Sequence, residues 1–190
     1  FLSTAANLRT DCYGGGLAQR MRFPLEVVAH VRDVWPAHKP LFVRISAADE
    51  AGWSLDDSLV YAGALRALGV DVVDCSSGGI ASVSVVEQIA RPSYCYQVPY
   101  AAAVRAGAAV RTMAVGLIVH ARQAEQILQN GQADLVALGR ELLQNPHWPL
   151  NAALELGQSA PFATVPPSYG YWLEKRAQQL GSLRQQDAPM

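Results

Sequence analysis

Apolar residues recur along this chain in two alternating patterns. Short runs rich in β-branched residues predict strands at residues 41–46, 70–75, 110–115 and 135–138. Between these runs, apolar residues spaced by three and four positions predict helices. The predicted helices cover residues 17–35, 54–68, 100–106, 120–130, 148–156 and 173–180, with a further short helix starting at residue 140.

Three local signals refine this pattern. Pro24 lies inside the first helix and removes a backbone hydrogen bond, so we expect a kink there or a new helix starting near it. Ser54 and Asp57 form a capping-box-like pair at the start of the second helix, which Gly69 ends. Residues 80–99 form the longest irregular stretch, and long loops in compact domains are often functional.

The order of the elements predicts the fold class. Strict alternation of strand and helix is typical of right-handed βαβ units and a parallel sheet. No strand is followed by a G-x-G-x-x-G turn, so a dinucleotide fold has little direct support.

The glycine and polar residues that suggest function all follow strands: Ser46, residues 76–79, Gly116, Gly139 and Arg140. A (β/α)8 barrel has its site at this end of its strands, and a full barrel has eight strands in about 250 residues. The four strands therefore predict an α/β fold that is the second half, strands 5–8, of a TIM barrel.

Gly139 and Arg140 follow the last predicted strand and begin a helix. A glycine lets a ligand approach the backbone, and a helix start offers free N–H groups beside the arginine. Phosphate commonly binds after strands seven and eight of a barrel, which favours a phosphate site here. An ordinary strand-to-helix turn with a surface arginine is the alternative.

Arg44 lies near the end of the first predicted strand. The alternation of that strand places Phe42, Arg44 and Ser46 on one face. An arginine on a buried strand is costly unless it meets a negative charge or several acceptors. Two interpretations remain open: a salt bridge to a neighbouring carboxylate, or a ligand held at the end of the strand.

Composition narrows the class of protein. The chain has 190 residues, of which 51% are hydrophobic and 16% charged, as expected for a globular enzyme of one domain. A formal net charge of -1 without basic runs argues against nucleic acid or an anionic membrane as partner. No apolar run is long enough to cross a bilayer. The three cysteines, Cys12, Cys75 and Cys95, are too far apart for a metal knuckle, and we expect reduced, mostly buried thiols in a cytoplasmic protein.

Several short motifs follow one another along the chain. They are Phe1-Leu2-Ser3, Asn7, Arg9-Thr10-Asp11, Tyr13-Gly14-Gly15, Arg20, Phe42-Val43-Arg44-Ile45-Ser46, Ser76-Ser77-Gly78-Gly79, Tyr96-Gln97-Val98-Pro99, Ala114-Val115-Gly116-Leu117-Ile118 and Leu138-Gly139-Arg140-Glu141-Leu142. In this order they resemble one known family, that of the Old Yellow Enzyme, whose members are FMN-dependent ene-reductases also called NADPH dehydrogenases or NADH:flavin oxidoreductases. The resemblance extends to about Leu154.

The resemblance implies a TIM barrel that holds FMN at its C-terminal mouth. Arg44 matches the arginine that contacts the flavin ring near N1 and O2. Gly139 and Arg140 match the residues that hold the FMN phosphate, and Gly116 lies beside them in the family. The implied reaction uses NAD(P)H as reductant and reduces activated C=C bonds, such as those of α,β-unsaturated carbonyl compounds.

The resemblance also implies that part of the site lies outside this sequence. The family's histidine pair (or His/Asn), which holds the substrate carbonyl, belongs to positions upstream of Phe1, so no catalytic residue is assigned in this chain. We therefore expect a fragment. The four histidines present, His30, His38, His120 and His147, are expected at the surface or behind the ligand-contacting residues.

Departures from the family pattern are confined to the N-terminal motif. Thr4 replaces a proline, and Gly16, Ala18 and Gln19 replace a serine, a glutamate and an asparagine. Gly16 removes the side-chain cap of the first helix, which makes the start of that helix less certain.

We expect two segments: residues 1–160 as the C-terminal half of an FMN-binding barrel, and residues 161–190 as a tail. The tail carries Tyr169, Tyr171 and Trp172. These aromatic residues either pack on their own barrel or reach a partner subunit's active site, and we expect a homo-oligomer at full length.

Two other interpretations compete with the enzyme. The chain could be a non-catalytic half-barrel that binds FMN phosphate weakly and needs a partner half, because a half-barrel leaves two open strand edges. An unrelated phosphate-binding barrel would keep Gly139 and Arg140 but not the ordered set of motifs.

Overall fold

The computed structural model describes residues 1–49, 51–78 and 93–186 of the chain. It divides into two compact units, Phe1–Val119 with Gln123–Leu138, and His120–Arg122 with Gly139–Met190. The elements in chain order are α1 (Leu17–Val34), β1 (Phe42–Ser46), α2 (Leu55–Ala67), β2 (Val72–Ser76), α3 (Val98–Ala108), β3 (Arg111–Ala114), α4 (Ala121–Gln129), β4 (Leu135–Val136), α5 (Arg140–Gln144), α6 (Trp148–Glu155), a 3₁₀ turn (Pro161–Thr164) and α7 (Pro167–Gln186).

The strands of the first unit form one parallel sheet in the order β1-β2-β3-β4. Helices connect successive strands, so each neighbouring pair forms a βαβ unit. The predicted alternation and the parallel sheet are confirmed, as is the partial TIM barrel they indicated.

The two faces of the sheet differ in burial because side chains alternate along each strand. Val73, Cys75, Thr112 and Ala114 point to one face and are fully buried. The opposite face carries a row of four side chains in register, Arg44, Asp74, Met113 and Leu135. On the outermost strands of this face Phe42 is 42% and Leu135 41% exposed. This second face is the one that a barrel turns toward its interior.

Helix α2 begins and ends as its sequence predicts. The Ser54 hydroxyl accepts a hydrogen bond from the Asp57 backbone N–H, and the Asp57 carboxylate accepts one from the Ser54 N–H. These two bonds satisfy donors that a helix start leaves free. Gly69 follows the helix at a φ of 82°, where a residue without Cβ avoids strain. The capping box and the stop are therefore both confirmed.

Helix α1 continues through Pro24, so of the two alternatives, a kink or a new helix near this residue, the new helix is wrong. Proline costs this helix one backbone hydrogen bond, but Met21 and Val28 on either side of it are buried and hold both halves to the same core. Gly16 is the N-cap and makes no side-chain bond, as its replacement of serine implied, yet the helix begins at Leu17 as predicted.

The N-terminal motif builds a compact loop in front of α1. The Asn7 amide donates to the carbonyl oxygens of Phe1 (2.6 Å) and Tyr13 (2.7 Å). The buried Arg20 donates to the carbonyl of Leu2 at 2.6 Å. A Cβ on Gly14 would lie 1.9 Å from a backbone oxygen, so only glycine fits there. These motif residues therefore hold the loop together.

Thr4 also has a structural role. Its N–H donates to the Gly52 carbonyl at 3.2 Å and its hydroxyl contacts the same oxygen at 3.3 Å. A proline, which the family pattern has here, could not donate the first of these bonds.

Two helices and one strand differ most from the sequence-based expectations. Helix α3 covers Val98–Ala108 where 100–106 was expected, and α7 covers Pro167–Gln186 where 173–180 was expected; both begin earlier because proline is tolerated in the first turn of a helix. Strand β4 is limited to Leu135–Val136. Of the irregular stretch expected at 80–99, residues 79–92 lie outside the described residues, and Tyr94 to Gln97 form a turn.

The second unit contains α5, α6, the 3₁₀ turn and α7. Leu150, Ala152 and Ala153 of α6 are buried. A Cβ on Gly170 would lie 2.8 Å from the Phe162 carbonyl oxygen, so this glycine lets α7 approach the 3₁₀ turn closely.

Candidate functional site

The loops after β1 and β2 are tied together by their own polar groups. The Ser46 hydroxyl donates to the Gly78 carbonyl at 3.0 Å, and the Ser76 hydroxyl donates to the Ile45 carbonyl at 2.9 Å. The Gly78 N–H donates to the Ala48 carbonyl at 2.7 Å. The positions of Ser46 and Ser76 suggested ligand contacts, but both hydroxyl groups donate their hydrogen bonds to backbone carbonyl oxygens of the protein.

Gln97 connects the carboxyl ends of β2 and β3. Its amide nitrogen donates to the Ser77 hydroxyl at 3.0 Å and contacts the Ser77 carbonyl at 3.3 Å. Gly116 lies against the same side chain: a Cβ there would come within 3.0 Å of Gln97, and its φ is 110°. Packing against Gln97 therefore already requires glycine at 116. Gln97 lies in one of the motifs that carry the family resemblance, but nothing in its local sequence indicates this contact.

Two residues at this edge have backbone conformations that are uncommon for side-chain-bearing residues. Cys95 has a φ of 61° and Leu117 a φ of 51°. The Cys95 N–H points at the Leu117 carbonyl oxygen at 3.4 Å. Such strained positions cluster near functional sites, where the surrounding structure holds them. Burial raises the pKa of the Cys95 thiol, so the thiol stays protonated near neutral pH.

The loop between β1 and α2 is fixed by a buried carboxylate. One oxygen of Asp49 accepts hydrogen bonds of 2.8 Å from the N–H groups of Ala51, Gly52 and Trp53. The Trp53 indole N–H donates to the Ser58 hydroxyl at 2.6 Å. These hydrogen bonds hold the backbone of residues 51–53 against Asp49, close to the carboxyl end of β1.

Arg44 forms a salt bridge with Asp74, its partner in register on β2. The guanidinium Nη1 donates to the carboxylate at 2.9 Å. The Arg44 side chain is 57% exposed and that of Asp74 only 12%. The salt bridge, one of the two interpretations left open for Arg44, is therefore present. The remaining N–H donors of the guanidinium have no acceptor among the described residues, and a ligand at the end of the strand stays a prediction.

Gly139 and Arg140 begin the second unit, whereas Arg44 and Gly116 belong to the first. Gly139 is the N-cap of α5 and makes no side-chain bond. A Cβ placed on it would meet nothing within 4 Å, so its backbone is open to an approaching group. Arg140 is exposed, and no carboxylate within the described ranges pairs with it.

The remaining candidates divide by exposure. His30, His38, His120 and His147 are all exposed, in agreement with their expected surface positions.

Cys75 is buried, and burial raises the pKa of its thiol to about 12. Cys12, in the glycine-rich loop before α1, is exposed and Cys95 is only partly buried, so the expectation of mostly buried thiols is wrong. No described helix has the length and apolarity needed to cross a membrane.

The residues expected to hold FMN fit that group chemically. A phosphate needs an arginine and an approachable backbone, which Arg140 and Gly139 offer. A flavin pyrimidine ring needs donors, and Arg44 has N–H groups left over from its salt bridge.

The sheet is that of a partial (β/α) barrel, with Arg44 on its more open face and Gly139 and Arg140 following its last strand in the sequence. The profile of the NADH:flavin oxidoreductase / NADH oxidase family matches residues 1–158. The chain therefore belongs to this family, the FMN-dependent family of the Old Yellow Enzyme.

Individual relatives agree with the family. The NADPH dehydrogenase of Halalkalibacterium halodurans is 48% identical over 160 residues, 83% of this chain and 45% of that protein. That of Geobacillus thermodenitrificans is 48% identical over 159 residues, with the same two shares. The chain thus spans a little under half the length of these curated relatives.

Solved structures give the same fold. Morphinone reductase in complex with tetrahydroNAD is similar with a TM-score of 0.61 and 25% identity, over 81% of this chain and 39% of that one. A 2-naphthoyl-CoA reductase complex has a TM-score of 0.69 at 22% identity, over 85% of this chain and 24% of that one, which supports the fold alone.

Proposed function

We propose that this chain supplies the phosphate-side and pyrimidine-side contacts of an FMN site in an NAD(P)H oxidoreductase that reduces activated C=C bonds. The observation that carries the proposal is the open backbone of Gly139 next to Arg140, an exposed arginine without a carboxylate partner among the described residues. An α,β-unsaturated carbonyl compound is the proposed substrate class. The names of the NADPH dehydrogenases support NADPH as reductant, and the tetrahydroNAD complex of morphinone reductase supports a nicotinamide nucleotide in general.

Each proposed residue has a distinct task. Arg140 pairs with the cofactor phosphate, and the Gly139 backbone lets that phosphate approach closely. Arg44 donates to the pyrimidine ring and stabilises negative charge there. Gly116 keeps the edge next to Gln97 free of a side chain. When bound, FMN supplies hydride-transfer chemistry, and these protein groups supply binding, orientation and charge.

The substrate-contacting residues are proposed to lie outside this sequence. No histidine of the chain is placed to hold a substrate carbonyl, and the family's histidine pair corresponds to positions upstream of Phe1. The proposal therefore assigns cofactor contacts to this chain and leaves its catalytic residues unknown.

An FMN titration followed by flavin fluorescence tests the proposal. Gly139→Ala is the sharpest variant, because its Cβ meets nothing within 4 Å among the described residues and would lie where a bound group approaches. Arg140→Ala removes the charge that pairs with the phosphate. We expect Arg140→Ala to raise the Kd for FMN about tenfold or more, since a charge-assisted hydrogen bond is worth roughly 1.5–3 kcal/mol. We expect Gly139→Ala to raise the Kd as well, because the added methyl group keeps the phosphate from approaching the backbone.

Matched controls separate this effect from misfolding. Gly63 in α2 also has open space where a Cβ would lie, so Gly63→Ala adds the same methyl group away from the proposed site. Arg122 has only a long, exposed contact to Glu155 (3.7 Å), so Arg122→Ala removes an arginine of the same unit. FMN affinities of Gly139→Ala and Arg140→Ala equal to those of these controls would contradict the proposed phosphate site.

A second candidate function uses the same contacts without turnover. The exposure of Phe42 and Leu135 on the inner face of the sheet favours a half-barrel that binds FMN phosphate weakly and needs further strands to cover that face. If the 190-residue chain binds FMN only when supplied with a segment carrying the first strands of the barrel, this second proposal gains support over independent binding.

We also propose that residues 1–160 act as the FMN-binding half-barrel and residues 161–190 as a tail, in a homo-oligomer at full length. The exposed Tyr169, Tyr171 and Trp172 support a tail that contacts another surface. Three free cysteines, one of them exposed, fit a reducing compartment such as the cytoplasm.

A further inference from the structure

The salt bridge on the inner face of the sheet is asymmetric. Asp74 and Arg44 are in register on neighbouring parallel strands, and one carboxylate oxygen accepts the 2.9 Å bond from Arg44. The other oxygen of Asp74 is fully buried and has no hydrogen-bond partner among the described residues. Asp74 is therefore held in the sheet, whereas Arg44 extends from it into open space.

This arrangement limits the positions that the guanidinium can take. A free arginine side chain has several rotatable bonds, and fixing them costs entropy when a ligand binds. A carboxylate that already holds one N–H of the fork removes part of that freedom before any ligand arrives. The donors left over are then presented in a fixed orientation.

The same carboxylate also changes the electric field at the site. A negative charge at hydrogen-bond distance opposes the positive charge of Arg44 for any group that the guanidinium contacts. No described donor other than Arg44 compensates the charge on Asp74. The pair therefore presents oriented N–H donors with a reduced net charge.

We propose that Asp74 is a positioning residue that orients Arg44 toward the flavin pyrimidine ring and weakens the positive field there. This inference rests on the proposed function, in which Arg44 contacts the pyrimidine ring. It assigns to Asp74 two separable effects: its hydrogen bond favours FMN binding, and its charge lowers the midpoint potential of the bound flavin.

Two substitutions separate these effects in the FMN-loaded intact protein that carries this chain. Asp74→Asn keeps an oxygen that can accept from Arg44 and removes the charge, so the Kd for FMN stays within about threefold while the midpoint potential becomes more positive. Asp74→Ala removes the acceptor as well, so the Kd for FMN rises about tenfold. Asp33→Asn, at an exposed carboxylate near the end of α1, is the charge control and leaves both quantities unchanged.

Arg44→Ala completes the test as a double-mutant cycle. If Asp74 acts on FMN affinity through Arg44, Asp74→Ala adds little to the Kd once Arg44 is already alanine. A full, additive tenfold increase in that background would overturn the positioning role, and an unchanged potential in Asp74→Asn would overturn the field effect. Circular dichroism and thermal unfolding confirm that each variant retains its fold.

The cycle also distinguishes the two levels of proposal. If Arg44→Ala weakens FMN binding and makes the potential more negative while both Asp74 variants behave like wild type, the proposed function stands and this inference fails. If Arg44→Ala leaves both quantities unchanged, the proposed role of Arg44 fails and the inference fails with it.

Discussion

At the scale of single residues, Gly116 shows how packing alone can require a glycine. Its φ of 110° is unfavourable for residues with a side chain, and an added Cβ would lie 3.0 Å from two atoms of the buried Gln97. We expect Gly116→Ala to reduce the free energy of unfolding by about 1–3 kcal/mol, measured by urea denaturation.

Gly181→Ala serves as the control for this substitution. Gly181 lies in α7 with open space around a Cβ, so its replacement should stabilise the helix by about 0.5–1 kcal/mol. If Gly116→Ala were as stable as Gly181→Ala, the Gln97 side chain could move away from position 116 without loss of stability. That result would contradict the conclusion that packing against Gln97 requires glycine at 116.

Arg44 illustrates what a sequence can and cannot decide about one residue. Its position near the end of a strand indicated either a salt bridge or a ligand contact, and the pairing with Asp74 depends on the register of two strands 30 positions apart. Sequence spacing does not fix that register. Gln97 was missed for a related reason, because its partners Ser77 and Gly116 come together only when β2 and β3 pair.

At the scale of elements, Asp134 connects helix α3 to the start of strand β3. Its carboxylate accepts two hydrogen bonds of 3.1 Å from Arg105 and one of 2.9 Å from the Thr112 backbone N–H. Partial burial alone would raise the pKa of Asp134, but the Arg105 guanidinium and the Thr112 N–H outweigh it and lower the pKa below its ordinary value of 3.8.

This lowered pKa predicts a pH dependence of stability. A carboxylate with a lower pKa in the folded state stabilises the protein fully above its unfolded-state pKa, and the contribution is lost as the pH falls through the folded-state value. We expect Asp134→Asn to reduce the urea midpoint at pH 7 and to flatten its decline below about pH 4. Because Arg105 is partly exposed, we expect the loss at pH 7 to stay near 1 kcal/mol.

Urea midpoints measured from pH 3 to pH 7 check this prediction. Asp33→Asn removes an exposed carboxylate on α1 and should leave the pH profile unchanged. Parallel profiles for wild type and Asp134→Asn over the whole range would show that Asp134 does not couple protonation to folding.

The elements differ in how much of their extent is encoded locally. Helix α2 carries its own start and stop signals in Ser54, Asp57 and Gly69, and its bounds were predicted closely. The bounds of helix α1 were also predicted closely, but it has no break at Pro24, because the burial of Met21 and Val28 outweighs the local preference of proline to interrupt a helix. Strand β4 is shorter than its apolar run, because its register pairing with β3 covers only Leu135 and Val136.

At the scale of the whole molecule, alternation of strand and helix was enough to predict a parallel sheet, and the ordered motifs were enough to predict the family. The candidate site was predicted only in part. Gly139 and Arg140 follow β4 as expected, but much of the resemblance at the N-terminus comes from residues that hold a loop together, such as Asn7 and Arg20. Motif identity therefore located the family more reliably than it located the chemistry.

The tail allows a prediction about assembly. The Trp172 side chain is 70% exposed, and its ring packs at 5.2 Å against that of Tyr171, itself exposed. Large exposed aromatic side chains are the residues that most often dominate protein interfaces.

If the tail contacts a partner subunit, Trp172→Ala in the full-length protein should weaken association by about 2 kcal/mol or more and lower turnover along with it. Analytical ultracentrifugation and steady-state kinetics measure the two quantities, with Gln179→Ala on the same helix as control. An oligomeric state and a turnover unchanged by Trp172→Ala would exclude this role for the aromatic segment, because an interface that buries an indole cannot lose it without a measurable change in affinity.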